Sequence, residues 1–195
     1  MSDITGPDRN TSTTLTDYIM ASFEQALAKT LRNEGGYVND PDDPGGETYK
    51  GIARKIFSTW EGWPVIDAQK RLSGFPTSLE NNYELQDKIG QFYKTHFWDR
   101  LLGDQLSDDH VAYSLFDFAV NAGAGTSVVL AQHVADVHAD GVMGPATVQA
   151  INAMQPEHFL ASFTVAKVVR YIAIVNQRPT SRKYFFGWVS RAVNS

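Results

Sequence analysis

Apolar residues return at every fourth position from Leu15 through Ile19, Phe23, Leu27 and Leu31, a period that lines one face of a helix. The spacing predicts a helix from Thr14 to about Asn33. Gly35-Gly36 should end it, because paired glycines leave the helical basin readily. Residues 1–13, rich in Ser, Thr, Asp and Gly, read as a flexible leader. After the glycines the period vanishes. Residues 37–52, YVNDPDDPGGETYKGI, carry two prolines, three glycines and four acids, which is turn and short-strand chemistry. Helical periodicity resumes over 53–60, 65–73 and 80–98. It continues, past a break at Leu102-Gly103-Asp104, over 107–122, 126–136, 145–154, 156–176 and 181–193. Ser107 ahead of Asp108-Asp109, and Gly144-Pro145 ahead of Ala146, are residue types that start helices. The predicted architecture is mostly α, with a small β or turn element after the first helix. A boundary near residue 103 divides 14–102 from 103–195, and its short linker implies that the two parts pack together.

Composition narrows the chemistry. With 195 residues, 43% hydrophobic and 20% charged, the chain can bury a sizeable core. The absence of cysteine removes disulfides, thiolate nucleophiles and cysteine-ligated metals. A net charge of −5 argues against broad nucleic-acid binding. No uninterrupted apolar run approaches the ~18–20 residues of a membrane span, so no stable membrane insertion is expected. The first 20 residues lack a basic segment followed by an apolar one, and so show no Sec-type signal. Charge is uneven: beyond Glu157 there are no acids, but six bases remain, at Lys167, Arg170, Arg178, Arg182, Lys183 and Arg191. These bases read as a solvated helix face or as a contact for an anionic polymer or membrane surface.

Glu34 falls at the predicted last turn of the first helix, where a carboxylate meets the negative end of the dipole. A placement that does nothing for stability draws attention to the residue. Glycoside cleavage needs an acid to protonate the leaving oxygen and a second group to steer water or stabilise the oxocarbenium ion. The segment after Glu34 offers Asp40, Asp42, Asp43, Glu47, Thr48 and Tyr49. An acidic surface turn, or a calcium loop, has the same composition. Pro41 and Pro44, however, interrupt the ligand spacing of an EF-hand. The histidines at 96, 110, 133, 138 and 158 form no compact zinc pattern. There is no GxSxG, GxxxxGK[ST] or GxGxxG. Acid–base chemistry by carboxylates is the strongest catalytic option left.

Several stretches resemble one family in order. Glu34-Gly35-Gly36-Tyr37-Val38-Asn39-Asp40-Pro41, continuing through Asp43-Pro44-Gly45-Gly46 to Thr48 and Gly51-Ile52, closely resembles the motif of glycoside hydrolase family 108. These are N-acetylmuramidases related to lysozyme, many of them phage endolysins. Tyr93 to Asp99 looks like the family's Tyr-x-x-x-(Tyr/Phe)-Trp segment. Phe116 to Gly123 resembles the opening of its companion peptidoglycan-binding region. Asp140-Gly141-Val142-Met143-Gly144-Pro145-Ala146-Thr147 resembles the Asp-Gly-x-x-Gly-Pro-x-Thr turn of that module, and Gly187-Trp188 through Arg191 resembles its end. The likeness spans about residues 20–193.

The resemblance implies a lysozyme-like catalytic region packed on a helical peptidoglycan-binding region. Glu34 would be the acid that cleaves the β-1,4 bond between N-acetylmuramic acid and N-acetylglucosamine. Related phage lysozymes place an Asp after eight intervening residues and a Thr after five more. Here eight residues separate Glu34 from Asp43, and four separate Asp43 from Thr48. Asp43 is thus the expected water-orienting carboxylate, with Asp40 its rival, and Thr48 the water's second partner. Tyr37, Asp40, Tyr49, Asp117 and Asn121 are the expected substrate contacts, although both tyrosines fit the core equally well. Asp117 and Asn121, four apart, share a helix face that lines a cleft or caps a neighbouring backbone. Asp140 is expected to accept local amide bonds in its turn. The tryptophans at 60, 63, 98 and 188 are expected to pack in the core. The implied partner is bacterial peptidoglycan, met by a monomer without cofactor or metal. An endolysin of this kind would wait in the host cytoplasm until a holin lesion releases it to the wall. A lytic transglycosylase acting on the same bond, and a non-catalytic wall-binding or virion structural protein, are the alternatives.

Overall fold

Helix α1 (Phe23–Leu31) begins at Ser22, whose Oγ accepts from the Gln25 N–H at 3.4 Å. The computed structural model describes residues 22–32, 34–40 and 45–195, so the predicted helical turns before Ser22 lie outside the described residues. α1 buries Phe23, Ala26 and Thr30, with Leu27 and Leu31 on the flank. A three-stranded antiparallel sheet follows: β1 (Tyr37–Asn39), β2 (Glu47–Tyr49) and β3 (Ile52–Ala53), in the order β1-β2-β3. Tyr49 pairs with Ile52 across a two-residue turn. Lys50 and Gly51 in that turn have φ of +47° and +76°, the positive values that a type I′ hairpin requires at both central positions.

The helix predicted over 53–60 does not form. Arg54 N–H donates to Glu47 O at 2.8 Å and Lys55 N–H to Gly45 O at 3.4 Å, so the sheet claims this backbone before a helix can. Only a single turn remains, where Ile56 and Phe57 donate to Ala53 O. Helices α2 (Gly62–Gln69) and α3 (Tyr83–Tyr93) come next, and a π-helical turn at Lys94–Trp98 closes this half. Phe23, Trp98 and Phe116 meet edge-on or tilted with centroids 5.6–6.0 Å apart, joining α1, the π turn and the long helix that follows.

Helix α4 (Asp109–Ala122) is capped by Asp108, one residue later than expected, whose carboxylate accepts from the N–H groups of His110 and Val111 at 2.9 Å. Val111, Ala112 and every residue from Ser114 to Ala119 are buried. A helix buried nearly all round is the core of the molecule. It packs against α1, α5 (Ala124–Val134) and α7 (Pro156–Gln177), and α7 packs in turn against α8 (Arg182–Asn194). α6 (Pro145–Asn152) and α7 both start with proline in the first turn, where its missing N–H costs nothing. Trp63 and Trp98 are buried as expected, while Trp60 and Trp188 are half-buried at the edge of the core.

Helix α7 is the most apolar long helix among the described residues. Once its charged interruptions are admitted, it is long and apolar enough to cross a membrane by length and composition, with a mean hydropathy of 1.5. Phe159, Phe163, Lys167 and Tyr171 form its buried face, whereas Val165, Val169 and Ile172 are exposed.

Candidate active site

α1 stops at Leu31, and Glu34 lies just past it, with its N–H donating to Leu31 O at 3.3 Å. The residue expected in the last helical turn is therefore in the bend that follows. Its half-buried carboxylate faces the last turn of α8. Arg191 Nη1 and Nη2 donate to Glu34 Oε1 at 3.5 and 3.4 Å. The same guanidinium grips Asp117 of α4 more tightly, from Nε to Oδ2 and from Nη2 to Oδ1, both at 2.9 Å. That two-pronged geometry is the strong form of a charge-assisted bond. Burial works against the guanidinium's charge, but Asp117 and then Glu34 hold its pKa above the usual arginine value. Thr30, fully buried on α1, donates from Oγ1 to Asp117 Oδ1 at 3.3 Å. Asp117 and Arg191 thus stitch α1, α4 and α8 together behind the acid.

The β2–β3 turn closes the other side. A Cβ placed on Gly51 would stand 2.8 Å from Glu34 Oε2 and 2.8 Å from Tyr93 Oη. Glycine is therefore required here twice, by its positive φ and by the carboxylate packed on it. Tyr93 is buried and donates from its hydroxyl to Lys50 O at 2.6 Å. Its pKa is raised, chiefly by burial and then by the negative charge of Glu34. The carboxylate is held between a fixed cation and a fixed turn, and this is the arrangement that orients it.

The other expected site residues separate. Asp43 lies outside the described residues. Asp40 follows β1 and is exposed. Thr48 occupies the middle of β2 opposite Val38, with its Oγ1 donating to Gly46 O at 3.2 Å. Tyr37 is half-buried, edge-on to Phe75 at 4.7 Å. Burial and a hydrogen bond to Glu47 raise its pKa. Tyr49, 1% exposed, is not a substrate contact: it fills the core, and its hydroxyl accepts from Gln86 Nε2 at 3.3 Å. Asp117, also 1% exposed, is corrected likewise, since Arg191 and Thr30 occupy its oxygens. Asn121 is exposed and donates to Tyr171 Oη at 3.4 Å. Behind the sheet, Glu47 pairs with Arg54 at 2.9 Å and Lys70 at 2.7 Å, and Asp67 pairs with Arg54 at 2.8 Å. The hydrogen bond from Arg54, followed by that from Lys70, pushes the Asp67 pKa down to about 2. Among the described residues no three acidic or histidine side chains converge as a metal site requires.

Arg191, Tyr93, Gly51 and Thr30 complete the site and were not singled out as site residues from the sequence. Tyr93 and Gly51 stand inside the recognised motifs, so their positions were marked without a role. Arg191 has only two weaker marks, its place among the C-terminal bases and at the end of the last matched segment.

Comparisons with known proteins agree with this construction. The family model described as glycosyl hydrolase 108 matches residues 27–123, and that of the predicted peptidoglycan domain matches residues 127–193. The solved structure of Brucella abortus SagA is similar at 30% identity and a TM-score of 0.65, covering 88% of this chain and 90% of that chain. A search of curated proteins gives no match. The fold is lysozyme-like, and the protein is a glycoside hydrolase that acts on peptidoglycan. The chain belongs to the glycosyl hydrolase 108 family and carries the peptidoglycan domain at its C-terminal end. Glu34 and Asp117 fall in the first match, and Arg191 in the second.

Proposed function

We propose that the protein is an N-acetylmuramidase that cleaves the β-1,4 bond between N-acetylmuramic acid and N-acetylglucosamine. The observation that carries this reading is the Glu34 carboxylate, clamped between Arg191 and the Gly51 turn. Glu34 gives its proton to the leaving glycosidic oxygen. Water adds to the anomeric carbon and loses a proton to a carboxylate, a role assigned to Asp43 with Thr48 as the water's second partner. The N-terminal part carries the hydrolysis, and the C-terminal part holds the wall polymer. The biological use that fits this chemistry is lysis: an endolysin held in the host cytoplasm and released to the wall through a membrane lesion.

The test is digestion of purified peptidoglycan by wild type and Glu34→Gln, with products read by mass spectrometry. Wild type should release fragments with reducing-end muramic acid. Folded Glu34→Gln should lose at least about a hundredfold in rate, the scale of a missing general acid. Anhydro-muramic products would move the enzyme to the transglycosylases, and full activity in the variant would remove Glu34 from the mechanism.

A further inference from the structure

A cavity of about 640 Å³ opens where α1, α4, α7 and the end of α8 meet. Its polar lining includes Lys29 and Arg32 of α1, His110 and Tyr113 of α4, Thr164 of α7 and Ser195. None of its lining side chains is acidic, although the chain as a whole carries −5. Among the described residues neither Lys29 nor Arg32 has a carboxylate at ion-pair distance; Lys29 instead sits over the Tyr113 ring, 5.0 Å from its centroid. The neighbouring acids are committed elsewhere. Asp108 caps α4, Asp109 accepts from Ser22 N–H at 3.2 Å, and Asp117 is gripped by Arg191. Lys167, buried behind the cavity, donates to the Ser195 hydroxyl at 2.7 Å.

The cavity is walled by helices α1, α4 and α8, the same helices that carry Arg191 and Asp117 and lead into Glu34. Arg32 is two residues from Glu34, and Tyr113 is one helical turn from Asp117. The turn of α8 that supplies Arg191 also supplies Val193, Asn194 and Ser195 to the cavity wall. The Tyr113 hydroxyl, whose pKa burial raises most, also responds to the charges of Asp117, Arg191 and Arg32.

We propose that this cavity is an anion subsite that receives a carboxylate of the peptide stem of peptidoglycan while the glycan lies against Glu34. The inference deepens the reading of the protein as a wall hydrolase and rests on it. In intact peptidoglycan the lactyl carboxylate is consumed in the amide bond to the peptide, so the free carboxylates belong to the stem. Two cations lacking a carboxylate partner suit such a group, and Leu160 and Val193 give the same cavity an apolar wall for the stem's methyl and methylene groups. Local attraction of this kind explains how an acidic chain holds an anionic polymer.

The deciding experiment compares wild type with Lys29→Gln/Arg32→Gln on two substrates: glycan strands with intact stems, and strands stripped of their stems by an amidase. The double variant should raise KM about tenfold on stem-bearing strands, leave kcat unchanged, and leave both constants unchanged on stripped strands. Equal loss on the stripped strands would place the contact on the lactyl carboxylate and overturn the stem assignment. Unchanged KM on both substrates would overturn the subsite itself. Pelleting with intact sacculi in a Glu34→Gln background gives a readout free of turnover, where the same pair of substitutions should weaken binding about tenfold. That arm keeps the subsite testable even if Glu34 proves not to be the acid.

Discussion

Gln132 holds its turn through partners no more than 15 residues away, whereas Arg191 holds Glu34 across 157. Both solve the same problem, an irregular segment that must keep one conformation. In the first region the buried Gln132 amide donates to Asp140 Oδ1 at 2.8 Å and Val142 O at 3.1 Å. Its carbonyl accepts from Gly141 N–H at 2.9 Å. Asp140 adds the local bond expected of it, accepting from Val142 N–H at 2.9 Å, and these bonds lower its pKa. The turn is satisfied within its own module. Around Glu34, by contrast, the side-chain contacts among the described residues come from distant parts of the chain. Its cation comes from α8 and its wall from the β2–β3 hairpin. The difference teaches that the peptidoglycan domain here also supplies the cation that faces Glu34, the proposed acid.

The comparison breaks most sharply at Arg191. Arg191→Ala leaves Asp117 buried without its cation, a loss of about 3–5 kcal/mol for a broken buried pair, and frees Glu34 to swing. Peptidoglycan release should fall about a hundredfold per folded molecule, as for a lost orienting contact. Circular dichroism and thermal melting fix the folded fraction. Arg191→Lys, which keeps the charge but not the two-pronged fit, should recover part of the melting temperature and less of the rate. Because Arg191 acts through Glu34, adding Glu34→Gln to Arg191→Ala should cost the rate little more than Glu34→Gln alone. Additive losses would mean that Arg191 does not work through the acid.

Gln132→Ala tests the other side. It removes four hydrogen bonds from a buried site, and the turn loses its anchor. Stability should fall by about 2 kcal/mol, in the range for buried polar groups left unpaired, or some 4–8 °C in melting temperature at this chain length. Turnover per folded molecule should stay close to wild type, because no part of this turn touches Glu34. A rate loss as large as that of Arg191→Ala would show that the two regions are coupled after all.

The same contrast explains what could be read from the sequence. Helices α4 to α8 were visible because each carries its period and its start: Gly144-Pro145 opens α6 where the pattern placed it, and Asp108 misses its predicted cap position by one residue. Asp140 was legible because its bonds are local. The 53–60 segment was misread because its apolar spacing fits a helix, while the backbone donors of Arg54 and Lys55 are spent on Glu47 and Gly45, a tertiary fact. Glu34 stood out through its motif and its awkward place near a helix end. Arg191 could not, since no period or spacing links residue 34 to residue 191. Tyr49 and Asp117 were misassigned for a related reason: a Tyr or Asp in a motif looks the same whether it faces sugar or core.

Lys167 offers the smallest and finest test, because it is another buried cation that reaches α4 and among the described residues it pairs with no carboxylate. Its Nζ is fully buried and donates to Ser114 Oγ at 3.2 Å and Ser195 Oγ at 2.7 Å. Burial lowers its pKa from 10.5 to about 8, against the partial relief that Asp117 provides. Arg191, with two carboxylates, moves in the opposite direction. A lowered value means that the unfolded chain binds the extra proton between pH 8 and 10.5, so wild-type stability rises with pH across that window and is lowest below it. At about 1.4 kcal/mol per pH unit the penalty below pH 8 has a ceiling on the order of 3 kcal/mol. The hydroxyl bonds, each worth about 1 kcal/mol, offset much of it. Lys167→Met removes both the penalty and the bonds. It should therefore stabilise the protein by about 1 kcal/mol at pH 7, roughly 2–4 °C, with the advantage shrinking as pH rises and reversing before pH 10.5, where the penalty is gone and only the lost hydroxyl bonds remain. Melting curves of the two proteins from pH 7 to 10.5 decide it: a gap that stays constant over that range would show that the lysine keeps its charge through its hydroxyl partners alone.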